Sequence, residues 1–383
     1  MTRNLTLCLL LFGLVAAALP AQAQDAVYRS AYHDYQATTV VDGLENPWGI
    51  AFLPGGDMLV TERPGRLRLI SDGVLQDEPV AGVPEVFARG QGGLLDVVLH
   101  PYFSGNNLVY LTFAKPVGGD NGSTTTIIRG RYEDGALHDV EEIFEANSSG
   151  RGHYGSRIAF DRNSYMFFSV GDRMARPDGD LAAHAAQDLS NHQGTINRLH
   201  DDGRVPADNP FVNTRGAEPS VWSYGHRNPQ GLAIHPETGD LWSNEHGPQG
   251  GDELNLIEPG LNYGWPVIGY GVNYRSGSAI HGATHAEGME QPEHFWVPSI
   301  GISGLMIYTG DQFPGWQGSS FSGGLSGQQL ARVPLEGQEA GVEETLYAGQ
   351  GRIRDVRQGP DGYIYLVLDG PGSVVRLAPA EAQ

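Results

Sequence analysis

Cysteine and lysine are almost missing from this chain. Cys8 is its single cysteine, so disulfides and cysteine nucleophiles are excluded for whatever remains once the first residues are removed. Lys115 is its single lysine, so nearly every positive charge is an arginine, able to fork onto carboxylates but unable to form a Schiff base. Positive charge is scarce altogether: Lys+Arg 24 against Asp+Glu 45 give a formal net charge of −21. Such a surface repels nucleic acid and anionic lipid. No apolar run approaches the roughly 20 residues of a membrane span. The longest, Leu5 to Leu19, follows Arg3 and precedes Ala21-Gln22-Ala23, the pattern of a secretory signal cut after Ala23. The expectation is a soluble periplasmic or secreted protein, with 1–23 as signal and 24–36 as a leader.

What the chain has in abundance is turn residues, Gly 54 and Pro 24. A phrase recurs in which an apolar strand, a Pro/Asp/Gly turn and a second apolar strand follow one another. It is clearest at Ile50 to Val60 and returns at Ile158 to Val170, Leu232 to Trp242 and Val356 to Leu368, with weaker copies at Leu94 to Leu111 and Leu305 to Leu325. Helical periodicity is poor, and Ala182 to Leu189 is the best candidate for a short helix. Units of about 60 residues, each centred on a hairpin and without intervening helices, predict an all-β fold closed by radial repetition, a six-bladed β-propeller. A β-sandwich is the alternative, since it too has frequent turns. With no linker or low-complexity tract after residue 30, residues 37–383 read as one domain.

Four polar constellations stand at the openings or ends of these repeats. In Gly150-Arg151-Gly152-His153-Tyr154-Gly155, glycines leave the His153 imidazole uncrowded, and a neutral histidine suits proton abstraction near pH 7. In Gly225-His226-Arg227-Asn228-Pro229-Gln230, a guanidinium beside a carboxamide offers fixed donors for a carbonyl or a developing negative charge. Glu245-His246-Gly247-Pro248-Gln249-Gly250-Gly251-Asp252-Glu253 and the following Asn262-Tyr263 interleave acidic oxygens with Gly and Pro, an oxygen-rich cradle for a hard cation such as calcium, although the spacing is not that of an EF-hand. In Gly351-Arg352-Ile353-Arg354-Asp355, period-two geometry puts two guanidinium groups on one face, a pocket for a ligand bearing carboxylates. Each has a structural alternative, a surface ion pair or a plain acidic turn.

Taken in order with Gly90-Gln91-Gly92-Gly93, these segments resemble the soluble quinoprotein sugar dehydrogenases, and most closely the periplasmic aldose sugar dehydrogenases. The resemblance runs from about Asn46 to about Arg376. It implies a six-bladed propeller that uses pyrroloquinoline quinone (PQQ) and calcium to oxidise aldose sugars and passes electrons to an external acceptor. By that resemblance His153 is the general base, and Arg227 and Asn228 hold the quinone oxygens. Gln91, Arg352, Arg354 and Tyr274 complete the cofactor pocket. Carbonyls of Gly247 and Pro248 hold the calcium that touches the quinone. Glu253 and Tyr263 hold a second, structural calcium.

One position departs from the family pattern. Ser326, in Gly324-Leu325-Ser326-Gly327, stands where the family usually has a lysine against the cofactor. Losing one charge-assisted hydrogen bond costs about 1.5 to 3 kcal/mol, a tenfold to hundredfold weaker cofactor. A calcium-dependent propeller lactonase and a non-catalytic sugar-binding propeller are the competing functions.

Overall fold

The apolar runs and their turns form antiparallel hairpins, and each of the six repeats becomes the two innermost strands of a four-stranded sheet. The structure, a computed structural model, describes residues 26–118 and 122–380; the expected signal and Cys8 lie outside them. Blade 1 is built from Pro47–Phe52, Met58–Glu62, Arg66–Ser71 and Val74–Leu75, and blade 2 from Leu94–Leu99, Leu108–Pro116, Ser123–Glu133 and Ala136–Glu145. Blade 3 comprises Ile158–Phe160, Met166–Val170, Thr195–Leu199 and Val221–Tyr224; blade 4 comprises Pro229–Ile234, Leu241–Glu245, Asp252–Ile257 and His294–Trp296. Blade 5 takes Ile302–Ile307, Ser320–Gly324, Gln329–Val333 and Glu344–Leu346, and blade 6 takes Ile353–Gln358, Ile364–Leu368 and Gly372–Pro379.

The fourth strand of blade 6 comes from the other end of the chain. Tyr35–Leu44 pairs antiparallel with Gly372–Pro379, Thr38 lying opposite Arg376, and so closes the ring. The Tyr35 hydroxyl accepts a 2.8 Å bond from the Tyr347 amide, and Tyr28 stacks on Tyr35. The stretch 24–36 is therefore not a bare leader: Val27–Tyr28 adds a further strand to this sheet. It pairs with Tyr35 and Gln36, whose own strand is anchored more than 300 residues away in sequence, so nothing local marks it. The helix expected over 182–189 is also absent. Two 3-10 turns, Leu181–Ala183 and Ala185–Gln187, stand there, broken at His184, whose extended backbone lets its side chain cap the Ala186 amide.

Second strands such as Met58–Glu62, Met166–Val170 and Ile364–Leu368 are buried along their whole length, because both faces of a blade press on neighbours. The core is accordingly divided into six interblade layers, one for each pair of successive blades around the ring. Hydroxyl groups on second strands tie blades together at the axis: Thr112 Oγ1 donates to Ser156 O at 2.8 Å and Ser169 Oγ to Pro229 O at 3.2 Å.

Across the axis lies an ion cluster in which Arg157, Asp96 and Asp355 are fully buried and Arg357 is partly exposed. Arg157 Nη1 meets Asp96 at 3.0 Å and Asp355 at 3.1 Å, and Arg357 bridges the same two acids at 3.2 Å. Leu95 and Arg354 line one axial cavity while Val97 and Arg357 line another, so the cluster forms the partition between them. The cavity on the side where the inner strands begin is polar; the other is walled by their aliphatic residues.

Candidate active site

The polar cavity, about 260 Å3, is lined by Gln91, Asn228, Gln230, His246, Arg352 and Arg354 among others. All of them precede or open an inner strand except His246, which follows a second strand. Blade geometry thus points loops from several blades at one mouth.

His153 sits in the loop before blade 3 with a left-handed backbone, φ 44°. Three contacts hold it. Its amide donates to Gln91 Oε1 at 2.7 Å, its carbonyl accepts from Arg173 Nη1 at 2.9 Å, and its Nδ1 faces Asp172 Oδ1 at 2.5 Å. Gly171 makes room for this arrangement, since a Cβ there would stand 2.3 Å from the His153 carbonyl oxygen. Asp172 is held in turn by the Trp265 indole N–H at 2.8 Å and the Met174 amide at 2.9 Å. Burial alone would raise the Asp172 carboxyl, but His153, Arg227 and the amide donor outweigh it and keep it ionised. Burial lowers the His153 imidazole below its ordinary value, against the pull of Asp172, with the guanidinium charges of Arg227 and Arg173 adding to the lowering. The result is a neutral imidazole whose Nδ1–H is given to a carboxylate, leaving Nε2 as the basic nitrogen.

Arg227 and Asn228 are set by Glu245, the last residue of a second strand. Its Oε2 accepts from the Arg227 amide at 2.5 Å and the Asn228 amide at 3.3 Å, while Oε1 takes His226 Nδ1 at 2.8 Å. Asn228 Oδ1 accepts from the Gly155 amide and from Gln230 Nε2, both at 3.1 Å, which fixes the amide plane. The Arg227 guanidinium lies 5.2 Å above the Trp265 ring. Burial, reinforced by the positive charges of Arg63, Arg157 and Arg352, pushes Arg354 down to about 10, Asp369 opposing. His246 is pushed down to about 3 by burial and by Arg354 and Arg227, so it too is neutral.

The expected residues are not all brought together. Gln91, Asn228, Arg352 and Arg354 line the polar cavity. Arg227, Gly247, Pro248, Glu253 and Tyr263 line an adjoining small pocket, with His246 shared by both. Tyr274 is 60% exposed in a loop and borders neither. Ser326 is exposed in the turn after Ser320–Gly324, and its neighbour Leu325 lines the cavity instead. Asp172 and Glu245 do the orienting; the sequence pointed to Glu245 only as part of a cation cradle and did not point to Asp172. A repeat-level signal existed: an acid ends the second strand, or follows it within two residues, in blade 1 (Glu62), blade 3 (Asp172), blade 4 (Glu245) and blade 6 (Asp369).

The residues fit an acceptor-rich, anionic ligand. Arg227 Nε, Arg354 Nε and His246 Nε2 are buried donors or acceptors without a partner among the described residues, the kind of group a folded protein leaves open only for something else to meet. The cation cradle is divided. Gly247 O accepts from Arg227 Nη1 at 2.7 Å and Pro248 O from Ser299 Oγ at 3.2 Å. Among the described residues no cluster of three His, Cys, Asp or Glu forms a ready metal site. Glu253, however, is pushed up to about 8 by burial and by Glu245, and the buried Asn255 Oδ1 beside them has no donor. Two carboxylates and an orphaned carbonyl oxygen are a donor set that suits calcium.

Residues 44–376 match the family described as Glucose / Sorbosone dehydrogenase. The chain belongs to that family. An aldose sugar dehydrogenase of Escherichia coli is 41% identical over 88% of this chain and 91% of its own length. Among solved structures, a glucose dehydrogenase is 45% identical with a TM-score of 0.85, covering 91% of this chain and all of that one. The PQQ-bound aldose sugar dehydrogenase of Streptomyces coelicolor is 29% identical with a TM-score of 0.74, over 90% of this chain and 98% of its own. Membership in the glucose/sorbosone dehydrogenase family agrees with the six-bladed propeller and marks the chain as an oxidoreductase of the sugar dehydrogenase type.

Proposed function

We propose that this protein oxidises aldose sugars at the anomeric carbon to the lactone, with PQQ as the oxidant and calcium as a second cofactor. The observation that carries the reading is the His153–Asp172 pair, a buried neutral imidazole backed by an ionised carboxylate at 2.5 Å and tied through its amide to Gln91, which lines the polar cavity with Asn228 and Arg354. His153 Nε2 takes the proton of the sugar's anomeric hydroxyl, and Asp172 stabilises the imidazolium that forms. The C1–H bond breaks as its hydride leaves the sugar, and the carbonyl of the lactone forms. PQQ supplies the two-electron acceptor for that hydride, and an external acceptor then reoxidises it. Arg227 and Asn228 hold the quinone oxygens, and Arg352 and Arg354 pair with cofactor carboxylates. Gly247 and Pro248 carbonyls would hold one calcium, with Arg227 giving up its bond to Gly247; Glu253 and the Tyr263 backbone would hold another. The leader sequence and the acidic surface accord with a periplasmic or secreted site of action.

The test is to add PQQ and calcium to purified apo-protein and measure dye-linked aldose oxidation. Activity that requires both and disappears in H153Q supports the reading. Turnover of a lactone with calcium alone, and no sugar oxidation, would replace it with a hydrolase.

A further inference from the structure

Arg63 carries no role in the sequence reading, yet it lines the polar cavity with Arg352 and Arg354. It follows Glu62, the end of the second strand of blade 1, and reaches across to the turn before blade 2. There Nη2 donates to Gly90 O at 2.5 Å and Nε to Gly92 O at 3.3 Å. These carbonyls fix the direction of the guanidinium without neutralising it. The one carboxylate lining the cavity, Asp369, is engaged by Arg352 at 3.7 Å. Three guanidinium groups therefore face one carboxylate, an excess of two positive charges in a chain whose formal charge is −21. Nothing in the fold calls for this concentration. Like charges gathered around one cavity repel, and an anion that joins them relieves the repulsion.

The wall at Leu325 carries no lysine, although Arg352 Nη1 reaches the Leu325 carbonyl at 3.4 Å. Ser326 lies outside the lining, and the chain's single lysine, Lys115, is spent on Glu142 and Glu145 at the surface of blade 2. We infer that Arg63 is a third anion-binding residue of the cavity, pairing with a carboxylate of a planar tricarboxylate cofactor, and that it supplies from blade 1 the charge a lysine at position 326 would bring. The inference rests on the PQQ reading above and deepens it. PQQ carries three carboxylates, and Arg63, Arg352 and Arg354 give one guanidinium for each.

Arg63 also props the loop that carries Gln91, and Gln91 holds the His153 amide. The experiment must separate pairing from propping. Purified apo-protein with calcium is titrated with PQQ and, separately, with its uncharged trimethyl ester, following the absorption of the bound quinone. For R63Q, pairing predicts PQQ affinity weakened about 10- to 100-fold, the value of one charge-assisted hydrogen bond, with ester affinity changed less than about threefold. An equal loss for both ligands, or no loss for PQQ, overturns the inference. R63K covers the case in which R63Q fails to fold. It keeps the charge but cannot fork onto both carbonyls, so pairing predicts PQQ affinity within about threefold of wild type; a loss of tenfold or more overturns the inference. If wild-type protein binds neither quinone, it is the proposed function that fails.

Discussion

At the residue scale the site is a study in how burial selects a protonation state. His153 and Asp172 are both almost wholly buried, yet the pair resolves into a neutral imidazole and an ionised carboxylate because Asp172 collects donors from Trp265 and Met174. Burial lowers His153 from 6.5, so its charged form dominates only below that pH. Sugar oxidation, which needs the neutral base, is expected to fall as pH drops through this lowered value, placing the acid limb of the kcat/KM profile below pH 6.5. Asp172 opposes the lowering. D172N should therefore move the acid limb further down in pH while cutting kcat on the order of 1000-fold, since the amide neither orients Nδ1 nor stabilises the imidazolium. Steady-state rates across pH measure both effects. An unchanged kcat would remove Asp172 from the mechanism.

The cation cradle makes a second residue-scale prediction. Glu245 and Glu253 are buried side by side, and without a cation their proximity is a cost. E253Q relieves it. The metal-free variant should melt higher than metal-free wild type, by about 2 °C for each kcal/mol relieved, while calcium, which should raise the wild-type Tm, should leave the variant nearly unchanged. Differential scanning calorimetry with calcium and with chelator reads both. A variant that keeps the full calcium response would place the ion elsewhere.

At the scale of the element, the informative unit is the inner hairpin. Its two strands were legible in every blade because an apolar run, a Pro/Asp/Gly turn and a second apolar run are local properties of the chain, visible within about a dozen residues. The residues that orient the catalytic groups were less visible, because Asp172 and Glu245 end the second strand region of a blade and act back on the loop before that blade's first strand, 17 to 19 residues earlier. The hydroxyl ties between blades were not visible at all, since a threonine in a strand looks like any other β-former. Thr112 Oγ1 both donates to Ser156 O and accepts from the Asp96 amide at 2.8 Å. T112V keeps the shape and leaves two buried backbone groups unsatisfied, so it should lower the unfolding free energy by about 1 to 3 kcal/mol. Denaturant titration would show this as a shifted midpoint, and an unshifted one would mean that the tie carries no stability.

At the scale of the whole molecule, ring closure is what turns six hairpin repeats into a site. The loops before blades 2, 3, 4 and 6 meet at one mouth only because Tyr35–Leu44 pairs with Gly372–Pro379 and holds blade 6 against blade 1. Deleting residues 26–44 would expose the edge of Gly372–Pro379 and the apolar face beneath it. The truncated protein is expected to lose cofactor binding and to aggregate, whereas a cut that stops at residue 30 removes just the outermost strand and should leave a monomer by light scattering. Both truncations behaving alike would show that closure is carried by other contacts.

The sequence alone determined the hairpins, their number, the acidic and thiol-poor chemistry, and the short motifs that carry His153, Arg227, Asn228, Arg352 and Arg354. Those features depend on periodicity and residue type over short spans. Tertiary structure decided which of the candidates share a cavity: it added Arg63 to the lining, set Asp172 and Glu245 behind His153 and Arg227 as their hydrogen-bond partners, left Tyr274 and Ser326 at the surface, and made the stretch before Tyr35 part of the closing blade. The reason is physical. A strand or a turn is stabilised by neighbours in sequence, but the field, burial and hydrogen bonds that give a side chain its chemistry come from residues up to 300 positions away, and they exist only once the ring is closed.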